Sequence, residues 1–354
     1  MQILDKNKAQ ELFTVSKEFG LCGRWITFDD IKNLLLAFEN NQNIHSLSIG
    51  FSENGIPIYN LQIGNGDKKI LIWTQMHGNE STGTKAIFDL LNLLNQDILI
   101  VEEMLSACTI SIIPMLNPDG ALRYTIANAK GIDLNRDAVG RVAIESNVLR
   151  NHLEEFQPDF CFNLHDQRTI FGVEGTTNPA TISFLAPSED ETRYITVGRQ
   201  KAMYIITAMN QLLQTIIPHH IGRYTDEFYP TATGDNFQKL GFHTILIESG
   251  HYHNDYHREE TRRFTFFAIL QGVYSIAKTA FFNDDYQAYF NIPNNNEIFF
   301  DVVKRFKNKE DEVYQYKEQI VDNQLKFIPK KIEGVNLKRK LFHNENDFLL
   351  NFYH

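Results

Sequence analysis

The chain has 354 residues, 43% of them hydrophobic and 22% charged, with a formal net charge of −10. That size and balance suit one large globular domain with a smaller one and exclude disorder over most of the length. The excess of 44 Asp and Glu over 34 Lys and Arg argues against non-specific nucleic-acid binding, which needs cations to displace counterions from phosphates.

No run of about 18 apolar residues is present, so no membrane span is expected. The first residues, MQILDKNKAQELF, contain no apolar stretch followed by a small-residue cleavage site. Cys22, Cys108 and Cys161 form no CxxC pair, and the latter two sit in apolar runs. A cytoplasmic protein with reduced thiols is the expectation; the oligomeric state is left open.

In chain order, residues 1–45 read as a polar helical cap, with IKNLLLAFEN as its amphipathic piece. SLSIGFS and PIYNLQIG read as two strands around a turn at Glu53-Asn54-Gly55. KKILIWTQM, ACTISIIPML, PDFCFNLH and HTILIESG are continuous apolar runs of strand length, the pattern of strands buried on both faces. GTKAIFDLLNLLNQ and FTFFAILQGVYSIAKTAFF (264–282) have helical spacing. NDDYQAYFNIPNNN then reads as a polar linker. Short strands without site-like residues follow, so 286–354 is expected to be a small β-rich appendage to a catalytic domain at 1–285.

Apolar strands alternating with helices imply an α/β sheet, mostly parallel. In such sheets ligands bind outside the carboxyl ends of the strands. Four strands end in His77, Asn117, His165 and Glu248, which points to one shared site.

His77 and Glu80, three apart on a loop after a buried strand, can turn toward one point, with Gly78 permitting a tight turn. Imidazole nitrogen and carboxylate oxygen are zinc donors. Alone, the pair reads equally as a surface His with a solvated Glu. A third ligand from a separate strand is His165. Glu248 leaves an apolar strand, where an unpaired carboxylate is costly; it is either a base beside metal-bound water or half of a salt bridge. Arg136 offers a fork matched to a carboxylate, or pairs internally with Asp133 or Asp137.

With HGNE at 77–80, NPDG at 117–120, GIDLNRD at 131–137, NLHDQ at 163–167 and ILIE at 245–248, the chain resembles the zinc carboxypeptidase family over residues 45–280. The resemblance implies a mixed eight-stranded sheet flanked by helices. It implies one Zn2+ per chain on His77, Glu80 and His165, with Glu248 as general base and proton donor. Asn135 and Arg136 would grip a substrate carboxylate. The substrate would be a peptide or acyl-amino acid with a free carboxylate, cleaved at the adjacent amide.

Two departures stand out. The family's oxyanion arginine has Ile126 and Ala127 in its place; Arg123 or Arg168 could substitute, and Arg168 could equally bind an anionic group. The family's loop tyrosine is absent from TGDNFQKLGFHTILIE, with Tyr224 and Tyr229 upstream. These changes keep two other expectations open. One is an amidohydrolase resembling the desuccinylase and aspartoacylase branch; the other is a non-catalytic binding protein. Asp166 reads as orienting a ligand. His251, His253 and His257 read as a polar loop before a helix, with a second metal as the alternative.

Overall fold

The computed structural model describes residues 1–39 and 41–346. Asn40 and residues 347–354, which the expected cap and appendage include, lie outside them. Strands β1 (Ile44–Phe51), β2 (Pro57–Ile63), β3 (Lys68–Trp73), β4 (Cys108–Ile113), β5 (Phe160–Asp166), β6 (Phe171–Val173), β7 (Ile182–Leu185), β8 (Ile221–Arg223) and β9 (His243–Ser249) precede a closing helix. Eight of them form one sheet in the order β1-β2-β4-β3-β5-β9-β7-β8. The centre is parallel from β4 through β9; β1, β2 and β7 bring in antiparallel pairs. The sheet is the expected mixed eight-stranded one. β7 and β8 are too short to show a period in the sequence.

Side chains alternate between the two faces, as the pleat requires. Ile70 and Ile72 of β3 join one apolar cluster with Leu90 and Phe266; Leu71 and Trp73 join the other with Leu153 and Phe237. The helices are α1 (Lys6–Ser16), α2 (Phe28–Glu39), α3 (Thr82–Leu94), α4 (Leu99–Ala107), α5 (Pro118–Arg123), α6 (Ile144–Phe156), α7 (Val197–Gln214), α8 (Thr233–Lys239) and α9 (Glu259–Lys278). None is long and apolar enough to cross a membrane. α9 starts five residues before the apolar run that marks it in the sequence. Asp255 sets that start: its carboxylate accepts from the backbone nitrogens of Glu259 and Thr261 at 2.8 and 2.7 Å.

The N-terminal segment is built into the body. Buried Arg262 of α9 pairs with buried Asp89 of α3 at 2.6 Å and donates to the carbonyls of Leu21 and Glu18.

The expected linker is structured instead. Asp284–Asn291 forms a 3₁₀ helix whose buried Tyr289 hydroxyl accepts from Ala186 N at 3.2 Å. β10 (Asn295–Glu297) then pairs with β6. Aromatic anchors at Tyr286 and Tyr289 hold what the polar composition suggested was loose. The second sheet therefore begins at Phe299. It comprises β11 (Phe299–Lys304), β12 (Glu312–Val321), β13 (Gln324–Ile332) and β14 (Leu341–Glu345), in the order β13-β12-β11-β14.

This sheet sits on the body through specific contacts. Tyr256 donates to Asp301 at 2.9 Å, and His343 meets the Thr169 carbonyl at 2.8 Å. The His343 ring lies 4.1 Å from that of buried His251 and stacks on Phe299. Burial, with positive neighbours, pushes the His343 imidazole down to about 4. A histidine kept neutral in the folded state and free near 6.5 when unfolded gives stability that is complete above pH 6.5 and lost on acidification toward pH 4. We expect wild type to lose more stability than His343→Gln over that window, by on the order of 1 kcal/mol per pH unit, read from urea unfolding at pH 7, 5 and 4.

Candidate metal centre

Strand β3 ends at Trp73, and the loop Thr74–Ser81 turns back over the sheet before α3. Gly78 is needed there for room. A Cβ on it would fall 1.9 Å from the Gly120 carbonyl carbon, and Gly78 is not among the positive-φ residues. The tight turn expected at Gly78 is thus a close approach of two backbones. The partner backbone belongs to α5, which NPDG opens as a helix rather than a turn. Asn117 caps it through Gly120 N at 2.8 Å, and its Nδ2 donates to Met76 O at 3.1 Å. NPDG therefore clamps the loop that carries His77.

Three side chains converge. One oxygen of Glu80 lies 2.8 Å from His77 Nδ1 and the other 2.8 Å from His165 Nδ1. One ligand atom from each of the three lies within 4.8 Å of the other two, and among the described residues no other group of three or more His, Cys, Asp or Glu does so. His77 Nε2 is held by Asp133 at 3.0 Å, and Asp133 by the Asn135 backbone nitrogen at 2.8 Å. A carboxylate on the far nitrogen fixes which imidazole nitrogen is free for a cation.

Burial alone would lower the His77 imidazole, but Glu80 and Asp133 override it and carry it up to about 10. Burial likewise opposes ionisation of Glu80, yet the two histidines bring it far below the usual range. The pocket thus favours added positive charge between two nitrogens and a carboxylate. A divalent ion fits that donor set, two nitrogens and one oxygen, with room left for water.

Glu248 stands beside His165, since β5 and β9 pair His165 with Glu248 in parallel register. Burial, then the Glu80 charge, raises its carboxyl well above the ordinary value. Glu80 and Glu248 open onto a cavity of about 470 Å³ that is also lined by Arg24, Asn79, Asp166, Arg168, Tyr224 and strand residues Tyr316–Glu318, among others. Asp166 accepts from Thr82 at 2.6 Å through its side chain, and its backbone nitrogen donates to the carboxylate of Glu80 at 3.1 Å.

The other expected residues divide. Arg168 is exposed and lines the cavity. Arg123 is exposed at the end of α5, outside the lining, with its guanidinium on the Ala129 carbonyl at 3.3 Å. Arg136 is exposed and donates to the carbonyl of Asn135. Asn135 is buried, and its side-chain oxygen accepts from Thr233 N at 3.1 Å. Of the two tyrosines, Tyr224 lines the cavity, and Tyr229 is half exposed elsewhere. His251 packs on His343, so the three loop histidines do not converge.

Sequence reading missed Arg24 and β12. Neither carries a local motif, and the sequence of β12 shows no site-like residues. Its wall position arises from the docking of the second sheet.

Residues 33–168 match the zinc carboxypeptidase family model. Carboxypeptidase 2 of Trichophyton rubrum is 26% identical over 101 residues, 28% of this chain and 19% of that protein. The match thus spans about a fifth of the curated relative's length. Carboxypeptidase A from Helicoverpa armigera superposes with a TM-score of 0.57 at 15% identity, covering 77% of this chain and 80% of its own. A metallo-carboxypeptidase from Pseudomonas aeruginosa, in complex with (2-guanidinoethylmercapto)succinic acid, gives 0.52 at 16%, covering 69% and 67%. The fold is thus zinc carboxypeptidase-like.

Gly78→Ala should cost about 1–3 kcal/mol in urea unfolding, because its methyl group would overlap helix backbone and not a side chain that can move.

Proposed function

We propose that the chain is a metal-dependent hydrolase, a carboxypeptidase acting on the amide next to a free carboxylate. The observation that carries this is the meeting of His77, Glu80 and His165 at one point, with Glu248 adjacent in the same crevice. His77, Glu80 and His165 would hold one Zn2+. When bound, the ion supplies Lewis acidity, polarising a carbonyl and bringing a water toward pKa about 7.

The chain's own groups then do the following. Glu248 accepts the proton of the attacking water and returns it to the leaving nitrogen as the C–N bond breaks, ending as it began. Asp133 keeps His77 in one tautomer. Arg168, which lines the crevice, and Arg136, which can turn in from the Asn135 carbonyl, are the cations for the substrate's carboxylate. Tyr224 supplies a hydroxyl near Glu248 where the usual loop tyrosine is missing; burial, then the Glu248 charge, keeps it protonated.

The second sheet walls the crevice, which favours short peptides or acylated amino acids over folded chains. Three free cysteines support a reducing compartment such as the cytoplasm.

Metal analysis of the purified protein should find about one zinc per chain, and almost none in His165→Ala. Glu248→Gln should keep the metal and lose about 10²–10⁴ in kcat on N-benzoylglycyl dipeptides. Full turnover by that variant would end the mechanism.

A further inference from the structure

Where the resemblance implies an arginine, the crevice has Ile126, and an arginine from a distant part of the chain lines it as well. Ile126 lines the cavity, and so does Arg24, about a hundred residues earlier and outside every motif of the resemblance. Arg24 belongs to a short segment that crosses the metal-site loop, and its neighbours are anchored one by one. Leu21 O accepts from Arg262 at 2.6 Å, and Gly23 N donates to Glu259 at 3.1 Å. Trp25 donates to Ala121 O at 3.0 Å, and Ile26 O accepts from Gln75 at 2.8 Å. The carbonyl of Arg24 itself accepts from Ser81 Oγ at 2.6 Å, one residue beyond Glu80. The backbone under this side chain is therefore fixed to the loop that carries two of the three proposed ligands.

The guanidinium is equally constrained and only partly used. It is 7% exposed, and Nη1 donates to Glu318 Oε1 of β12 at 2.5 Å. Glu318 Oε2 is meanwhile held by the Tyr124 hydroxyl at 2.5 Å. Nε is buried without a hydrogen-bond partner. An arginine has five N–H donors in a rigid fork, and a buried donor left unmade is costly. Glu318 and Asp166 act on Arg24 electrostatically and favour its charge. A fixed cation lining the cavity that Glu80 and Glu248 share, with its fork only partly committed to Glu318, is suited to a negative charge that forms only during reaction.

We propose that Arg24, clamped by Glu318, donates to the carbonyl oxygen of the scissile amide as that oxygen becomes an oxyanion, a charge that Ile126 in the same lining cannot meet. No proton moves to or from the guanidinium; it lowers the energy of the charge. Glu318 is a positioning residue, and the C-terminal sheet becomes part of the catalytic machinery. This inference rests on the hydrolase reading above.

The test uses the full-length zinc-loaded protein, N-benzoylglycyl dipeptides ending in Phe, Lys or Glu, and a phosphonate analogue of the best dipeptide. Arg24→Ala should lower kcat by about 10²–10³ with KM within about threefold. It should weaken the phosphonate far more than the carboxylate product, at unchanged zinc content. Added guanidinium at millimolar concentration should restore part of kcat. Arg24→Lys, which keeps the ion pair with Glu318, covers the case in which the alanine variant does not fold, and should show the same selective loss of phosphonate affinity. Glu318→Gln should lose less and leave the guanidinium response absent. Equal loss of phosphonate and product affinity, or kcat within twofold of wild type, overturns the proposal for Arg24. A wild-type protein that hydrolyses no dipeptide overturns the hydrolase reading instead.

Discussion

The site depends on one partly buried carboxylate shared between two imidazoles. Glu80 comes from the loop after β3 and faces His77 on that loop and His165 at the end of β5. A carboxylate in such a place is costly unless its charge is met, and here each oxygen has a nitrogen at 2.8 Å. The need to bring these donors together explains several features elsewhere. Gly78 must be small because α5 presses on the loop, and Asn117 must cap α5 because the loop leans on it. Parallel pairing of β5 with β9 then sets Glu248 beside His165 without any further device.

Around that constant centre, the surrounding shell is assembled differently from what the motifs suggest. The segment before Asp133 contributes Ile126, not a cation, and the loop before Glu248 contributes no tyrosine. The cavity nevertheless contains an arginine and a tyrosine, Arg24 and Tyr224. One arrives over the metal-site loop and the other from the end of β8, next to Phe171, whose ring is 5.4 Å from it. Chemistry of this kind constrains where donors stand in space, and several chain segments can supply them.

That distinction governs what the sequence could reveal. Six of the eight main strands are legible, because apolar runs such as ILIW and FCF are followed by polar residues. β7 and β8, at four and three residues, are too short for any period to appear. His77, Glu80, His165 and Glu248 are legible because each closes or follows a buried strand. Arg123 misleads: it lies near the right place in the chain, but the end of α5 points it into solvent. Arg24 and Glu318 are illegible for a different reason. Their meeting joins positions 294 residues apart, and nothing local records a contact over that separation.

That same long-range contact has a temporal consequence. During synthesis the chain emerges from its N-terminus, so the fold's central strands and all three metal-capable residues are available well before β12 exists. The wall formed by Tyr316, Lys317 and Glu318 is added only after them. Until β12 docks on the body, the crevice stands open on that side and the Arg24 guanidinium lacks the carboxylate that holds it.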